Sequence, residues 1–511
     1  MTTQNEKQIL LPIQGIDVSQ PGEYIDPRGT PDCINIELYR SVIKKRIGTT
    51  AVGTTASERI LAIKELYANI THFPVRIGLT KFEYLTAGTW TDAAHAVLTG
   101  QIADRVDVCL PLLSGERILV YTNFRDEIRY WTGADKDDHL FTSSDKPLAK
   151  YVVAYGGYLL IFYVSLGGTI YAQRGMWSDT GDITNMSTVN AGYMDLIEDG
   201  EDITGAAIFG NYVAVHKESS IYLWYLVGTD DIFAAERKAT GSGTVCHFTI
   251  QNLPTGEQIF LGRDGFHLFN GVSAPLINLS IMDELRESMN PEYLYKCWST
   301  VIPSMDEYWC GIPIGSQTEA ETVYKYNYRT GQIYKDVRTN TTAAGAYTLT
   351  TSTTWGEQVG DWASASGSWD DVALLKLFPP VLFGDSTGIV TRRDSVNNDG
   401  DNDIAISSYW ISKDYECENA QKGSLGRWNK IMVWAKGSTL QVDYSIDEGQ
   451  TWVNITTLAL SVSYPTDTSP AIGYFDVISS KIRFRFSNNV AGETYYLKQF
   501  VIWYNLREMV K

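Results

Sequence analysis

The chain has 511 residues, with 44% hydrophobic and 12% aromatic residues, and carries a formal net charge of -18. That much apolar material specifies a large folded core, and the acidic balance argues against a surface that grips phosphates. The opening MTTQNEKQILLPIQG lacks a basic region followed by a long apolar run, and no later stretch approaches the length of a membrane span, so neither a cleaved signal peptide nor membrane insertion is expected.

Residues 1–57 read as an extended arm. Pro12, Pro21, Pro27 and Pro31, with Gly15, Gly22 and Gly29 among them, cut it into short pieces that exclude a helix. Val42-Ile43-Lys44-Lys45-Arg46-Ile47-Gly48 then alternates apolar and polar positions as a strand requires. Lys44, Lys45 and Arg46 read as a solvated basic patch, or as an electrostatic contact to an acidic neighbouring subunit.

From 58 to 394 one unit recurs, most clearly between Ile203 and Leu226. A strand from Thr204 to Phe209, a turn at Gly210-Asn211, a strand from Tyr212 to His216, a polar turn from Lys217 to Ser220 and a strand from Ile221 to Leu226 make a meander. Gly-Asn between apolar runs signals a hairpin because both residues tolerate positive φ. Earlier copies open at Arg59, Arg105 and Lys150. Marker residues Tyr84, Tyr130, Tyr171, Tyr222, Leu268, Tyr324 and Val390 stand about 40 to 65 residues apart, which suits four-stranded blades with insertions late in the series. The fold class expected is all-β: a β-propeller of six or seven blades over 58–394, an extended N-terminal arm over 1–57, and a C-terminal β-sandwich over 395–511.

One helix interrupts the repeats. Ile281, Met282, Leu285 and Met289 share a face, Asn278 or Ser280 is the expected cap, and Asn290-Pro291 ends it. It is expected to pack on the side of the propeller, with a subunit contact as the alternative. Between 337 and 375 a Thr-, Ser- and Gly-rich insertion carries Trp355, Trp362 and Trp369; glycines among them argue for a loop, whose tryptophans stack on sugars, anchor an interface or pack on their own blade. The carboxylates and amides of 397–403 offer oxygen ligands for calcium. The glycine spacing does not fit an EF-hand loop, so a solvated linker and no metal are expected.

The C-terminal segment reads as about seven short strands, the sign of a sandwich or jelly roll. Ile482, Phe484 and Phe486 alternate with Arg483 and Arg485, giving one buried and one wet face. Ser445-Ile446-Asp447-Glu448-Gly449-Gln450-Thr451-Trp452 matches the S-x-D-x-G-x-T-W Asp-box of sialidase-like propellers. Its chemistry is that of a hairpin: Asp accepts backbone N–H bonds, Gly takes positive φ, and Trp covers the turn.

No zincin, nucleophile-elbow or Walker pattern is present, and His72, His95, His139, His216, His247 and His267 stand apart in sequence. Histidines such as His216 and His267 are expected to be packing or turn residues. Cys33, Cys109, Cys246, Cys297, Cys310 and Cys417 form no C-x-x-C pair and are expected to be buried free thiols. No catalytic, cofactor-binding or metal residue is assigned, and a non-enzymatic protein is expected.

Gly15-Ile16-Asp17, followed by Asp32-Cys33-Ile34-Asn35-Ile36-Glu37 and Lys45-Arg46-Ile47-Gly48, is similar to the openings of tailed-bacteriophage structural proteins. Phe383-Gly384-Asp385-Ser386-Thr387-Gly388-Ile389-Val390 and the later YSIDEGQTW are similar to their C-terminal halves. The chain thus resembles the tail hub or nozzle of short-tailed phages, related in role to packaged-DNA stabilisation proteins. The resemblance implies a structural virion protein, made in the host bacterial cytoplasm, whose copies form a hexameric ring below the portal and adaptor. It retains packaged DNA and guides its exit without binding it specifically, alongside the head-tail adaptor and other tail proteins. The competing expectation is a glycan-binding or glycan-cleaving propeller, such as a receptor-binding tail component.

Overall fold

The computed structural model describes residues 5–10, 15–39, 42–68, 71–135, 137–228, 231–347, 380–393, 400–401, 404–417, 424–465 and 470–506. Period-two patterning cut by tight turns gives antiparallel meanders. The clearest runs Ile203–Phe209, Tyr212–Lys217, Ser220–Leu226 and Phe233–Thr240, with Phe209 opposite Tyr212 across the Gly210-Asn211 turn. Gly210 has a φ of +56°, as the hairpin demands.

Among the described residues, six further meander sheets share the plan. They begin with Ile60–Ala68, Asp107–Cys109, Leu148–Tyr155, Gln251–Asn252, Trp298–Ile302 and Thr341–Ala346. All seven marker residues lie on the third strand of their sheets. Each sheet packs its face on the next through a separate apolar cluster. Phe82, Tyr121 and Trp131 lie between the first and second sheets, for instance, and Ile60, Trp90, Leu382 and Val390 between the last and the first. The sheets therefore close into a ring, a β-propeller. Its last sheet takes a fourth strand, Thr49–Ala51, from the N-terminal segment, paired antiparallel to Val390–Arg393.

The rest of that segment joins the ring to the sandwich. Cys33–Ile34 lies parallel to Ile333–Val337 of the sixth sheet and antiparallel to Ser408–Ile411 of the sandwich. A ten-stranded sheet thus crosses from one unit into the other. Ile36–Tyr39 and Val42–Lys45 pair with each other and then with Tyr495–Leu506 in the second sandwich sheet, which also receives Asn5–Leu10. Within the sandwich Lys481–Asn488 alternates as expected, with Ile482, Phe484 and Phe486 fully buried.

Three expectations need correction. Lys45 and Arg46 are not a solvated patch: they are 0% and 1% exposed. Lys45 Nζ donates to Asn488 Oδ1 at 3.0 Å and Val490 O at 2.8 Å, and Arg46 Nε donates to Asn35 Oδ1 at 2.9 Å. Strand pairing on both sides turned these cations inward, where carbonyls and amides satisfy them. Lys217 is not a turn residue but, with His216, the buried end of the strand Tyr212–Lys217. Lys217 Nζ donates to Leu196 O at 2.7 Å and pairs with Asp199, while burial holds His216 down at about 4 beside Gln258 Oε1. The helix spans Met282–Ser288 and has no side-chain cap; the Ser280 hydroxyl donates instead to Ile16 O at 2.6 Å, tying the arm to it. Its apolar residues Met282 and Leu285 pack inward against the sixth sheet's neighbourhood.

All six cysteines are free, and Cys109 alone among them is only half-buried. No helix among the described residues is long and apolar enough to cross a membrane.

Glu37 links the arm to the last sheet through Arg393 Nη2 at 2.8 Å. Burial would raise its carboxyl, but the Arg393 and Lys325 charges outweigh that and bring it to about 2, against an ordinary 4.5. A depressed carboxylate adds stability that is complete above the unfolded value and is lost as pH falls through the folded one. The melting temperature of the native chain should therefore fall more steeply than that of Glu37→Gln as pH drops from about 4.5 toward 2. Parallel melting curves over that window would refute the pairing.

Candidate functional site

First strands of all seven sheets line one central channel of about 460 Å³. Its middle is walled by short side chains such as Ala62, Ala154, Ala206, Ala207, Ala343 and Ala344, so backbones approach and leave an open bore. At the end where the first strands begin, a second cavity of about 280 Å³ forms the channel's mouth and shares Arg105, His247 and Phe248 with it.

His247 organises this end. Its Nδ1 accepts the Ala206 N–H at 3.3 Å, which leaves Nε2 to donate to Asp107 Oδ1 at 3.1 Å. Asp107 Oδ2 accepts the Val152 N–H at 2.8 Å. Burial pushes the Asp107 carboxyl up, and His247 with two backbone N–H groups more than offsets it, so the group stays an anion. The pair thereby ties the second, third, fourth and fifth sheets together around the bore. Tyr151 lies with its ring centroid 4.7 Å from that of His247, and burial pushes its hydroxyl up. The Cys246 thiol, also pushed up by burial, donates to the Tyr295 and Cys297 carbonyls. Neither group is placed as an activated nucleophile of the His247–Asp107 pair.

Two cations reach the mouth without a carboxylate partner among the described residues. Arg105 donates to Tyr295 O at 3.2 Å and Thr342 O at 3.5 Å, covers the Phe248 ring at 4.3 Å, and has a buried Nε with no acceptor. Lys150 stands between the pairs Ala149–Val164 and Tyr151–Phe162, and so faces Tyr163 at a β-bulge. Its ammonium lies 3.5 Å from the Tyr163 ring centroid and 5.5 Å from that of Phe124. Both aromatics have left-handed backbones, with φ of +56° at Tyr163 and +63° at Phe124. Such conformations cost about 1–3 kcal/mol each in non-glycine residues and gather at functional sites.

None of these mouth residues was singled out for chemistry from the sequence. One signal was present: three successive repeat copies open on a basic residue, Arg59, Arg105 and Lys150, and two of those enter the mouth. The Asp-box, by contrast, is the hairpin expected. Asp447 Oδ1 accepts the Thr451 N–H at 2.9 Å and the Ser445 hydroxyl at 2.7 Å, Gly449 has a φ of +93°, and the Arg485 guanidinium covers the Trp452 ring at 4.5 Å. These bonds to Thr451 and Ser445 hold the Asp447 carboxyl at about 2, so it is occupied rather than available. Trp355, Trp362 and Trp369 lie outside the described residues, as does most of 397–403.

No known family's sequence pattern matches the chain, and no curated protein does. Among solved structures it is similar to the computationally designed Ika8 protein, at 10% identity and a TM-score of 0.35, over 68% of this chain and 99% of that one. It is also similar to YCF48 from Cyanidioschyzon merolae, at 9% identity and a TM-score of 0.38, over 68% and 98%. Likenesses this distant carry no argument about activity.

Proposed function

We propose that the chain is a structural ring-forming protein of a short-tailed phage virion, a tail nozzle or hub through which DNA passes. The observation that carries this reading is the ten-stranded sheet running from the propeller's sixth sheet through Cys33–Ile34 into the sandwich. A subunit that forms part of a pressurised conduit needs to move as one stiff body, and a continuous hydrogen-bonded sheet supplies that stiffness. The N-terminal and late-blade motifs support the virion assignment, and a net charge of -18 suits a wall that a duplex slides past rather than adheres to.

The test is assembly. Mass photometry and negative-stain imaging, alone and with the head-tail adaptor, are expected to give closed rings of about six copies, in keeping with cyclic symmetry. Duplex DNA at low salt should not be retained on these rings. Monomers under both conditions, together with hydrolysis of bacterial surface polysaccharide that drops when a single carboxylate is replaced, would overturn the proposal.

A further inference from the structure

The mouth of the propeller channel combines features that the ring-forming role does not use. In a chain with a net charge of -18, Lys150 and Arg105 are left without carboxylate partners in one cavity. Each is instead set against an aromatic ring, Tyr163 for Lys150 and Phe248 for Arg105. Unpaired, half-buried cations lose hydration, and a bound anion is the usual compensation. The cavity of about 280 Å³ sits at the small end of ligand sites, with room for one substituted six-membered ring.

The rim narrows the class of anion. Asp104, Asp202 and Glu218 line the same mouth, and Asn123 lies with them. Three carboxylates disfavour a doubly charged phosphate ester but accept hydrogen bonds from hydroxyl groups. Tyr163 and Phe124, half-buried and packed edge to face at 5.5 Å, line this mouth and give a sugar ring an aromatic wall for its C–H groups. We propose that this mouth binds a sugar acid: its carboxylate between Lys150 and Arg105, its ring against the aromatic wall of Tyr163 and Phe124, and its hydroxyls toward Asp202. Burial draws the Lys150 amine below its ordinary value, and the charges of Asp202 and Asp104 oppose that fall. The left-handed backbones at Tyr163 and Phe124 are the strain that presents the two rings. The proposal does not depend on ring assembly, and a monomer would bind equally.

Isothermal titration of the full chain at low ionic strength and pH 7 tests it, with sodium glucuronate, glucose 6-phosphate and glucose as probes. Glucuronate should bind measurably and glucose should not. Lys150→Gln should weaken glucuronate by about tenfold or more, the usual effect of losing one charge-assisted hydrogen bond, while Lys150→Arg keeps most of the affinity. A second measurement needs no variant: saturating glucuronate should slow acetylation of Lys150 relative to the other lysines, read by mass spectrometry. Absent glucuronate binding, binding unchanged in a folded Lys150→Gln, or unprotected Lys150 overturns the site. Tighter binding of glucose 6-phosphate overturns the sugar-acid assignment in favour of a phosphate ester.

Discussion

Lys325→Met is expected to destabilise the chain by about 3–5 kcal/mol, the usual cost of removing one partner from a buried ion pair. Lys325 Nζ lies 2.8 Å from Asp336 Oδ1, with the two side chains 1% and 0% exposed. The same ammonium donates to Ile36 O at 2.6 Å, so it also holds the arm on the sixth sheet. Methionine fills the volume but leaves the buried Asp336 without its nearest cation, the Arg46 Nε lying farther off at 3.9 Å. The double variant Lys325→Met/Asp336→Leu removes both charges and should recover much of the loss, because a matched apolar pair avoids the desolvation cost. Urea unfolding at unchanged slope measures both. If the single change is no worse than the double, the pair is not what holds this junction.

Asn35→Ala is the second large effect, about 3 kcal/mol, since each buried group left without its partner costs about 1–3 kcal/mol. Asn35 Oδ1 accepts both Arg46 Nε and the Val337 N–H at 2.9 Å, and its Nδ2 donates to Ser407 O at 2.7 Å. One side chain thus bonds the arm, the sixth sheet and the lead-in to the sandwich. Asn35 also sits at a φ of +57°, where alanine adds about 1 kcal/mol of backbone strain. Asn35→Gly removes the bonds without the strain, so it should fall between native and alanine. Equal losses in the two variants would show that the backbone conformation is not strained there.

The propeller was legible in the sequence because its signals are local. Alternation within each strand and the Gly210-Asn211 turn need no distant partner to be read, and the third strand of every sheet could be marked in advance. What the sequence hid is non-local. Nothing in Lys44-Lys45-Arg46 announces that two of its three cations are roofed by segments several hundred positions away, because burial is a property of pairing rather than of composition. His247 and Asp107 likewise meet only because the second sheet's first strand and the helical turn His247–Thr249 ahead of the fifth sheet face one bore. The cap expected at Ser280 is absent for a related reason: the helix begins one residue later, with Ile281 at its N-cap, and the Ser280 hydroxyl donates to Ile16 O on the arm.

Thr49–Ala51, which completes the last sheet, has a kinetic consequence. Its partner Val390–Arg393 leaves the ribosome about 340 residues later, at a synthesis rate of about 5–20 residues per second. For tens of seconds the start of the nascent chain has no mate, while earlier meanders can already form from contacts close in sequence. The long loop is closed once, and its entropic cost grows only logarithmically with length. Ring closure therefore comes late, with only the arm's pairing to Ser408–Ile411 and Tyr495–Leu506 still to follow, and a nascent chain truncated before Val390 would expose two adhesive sheet edges at once.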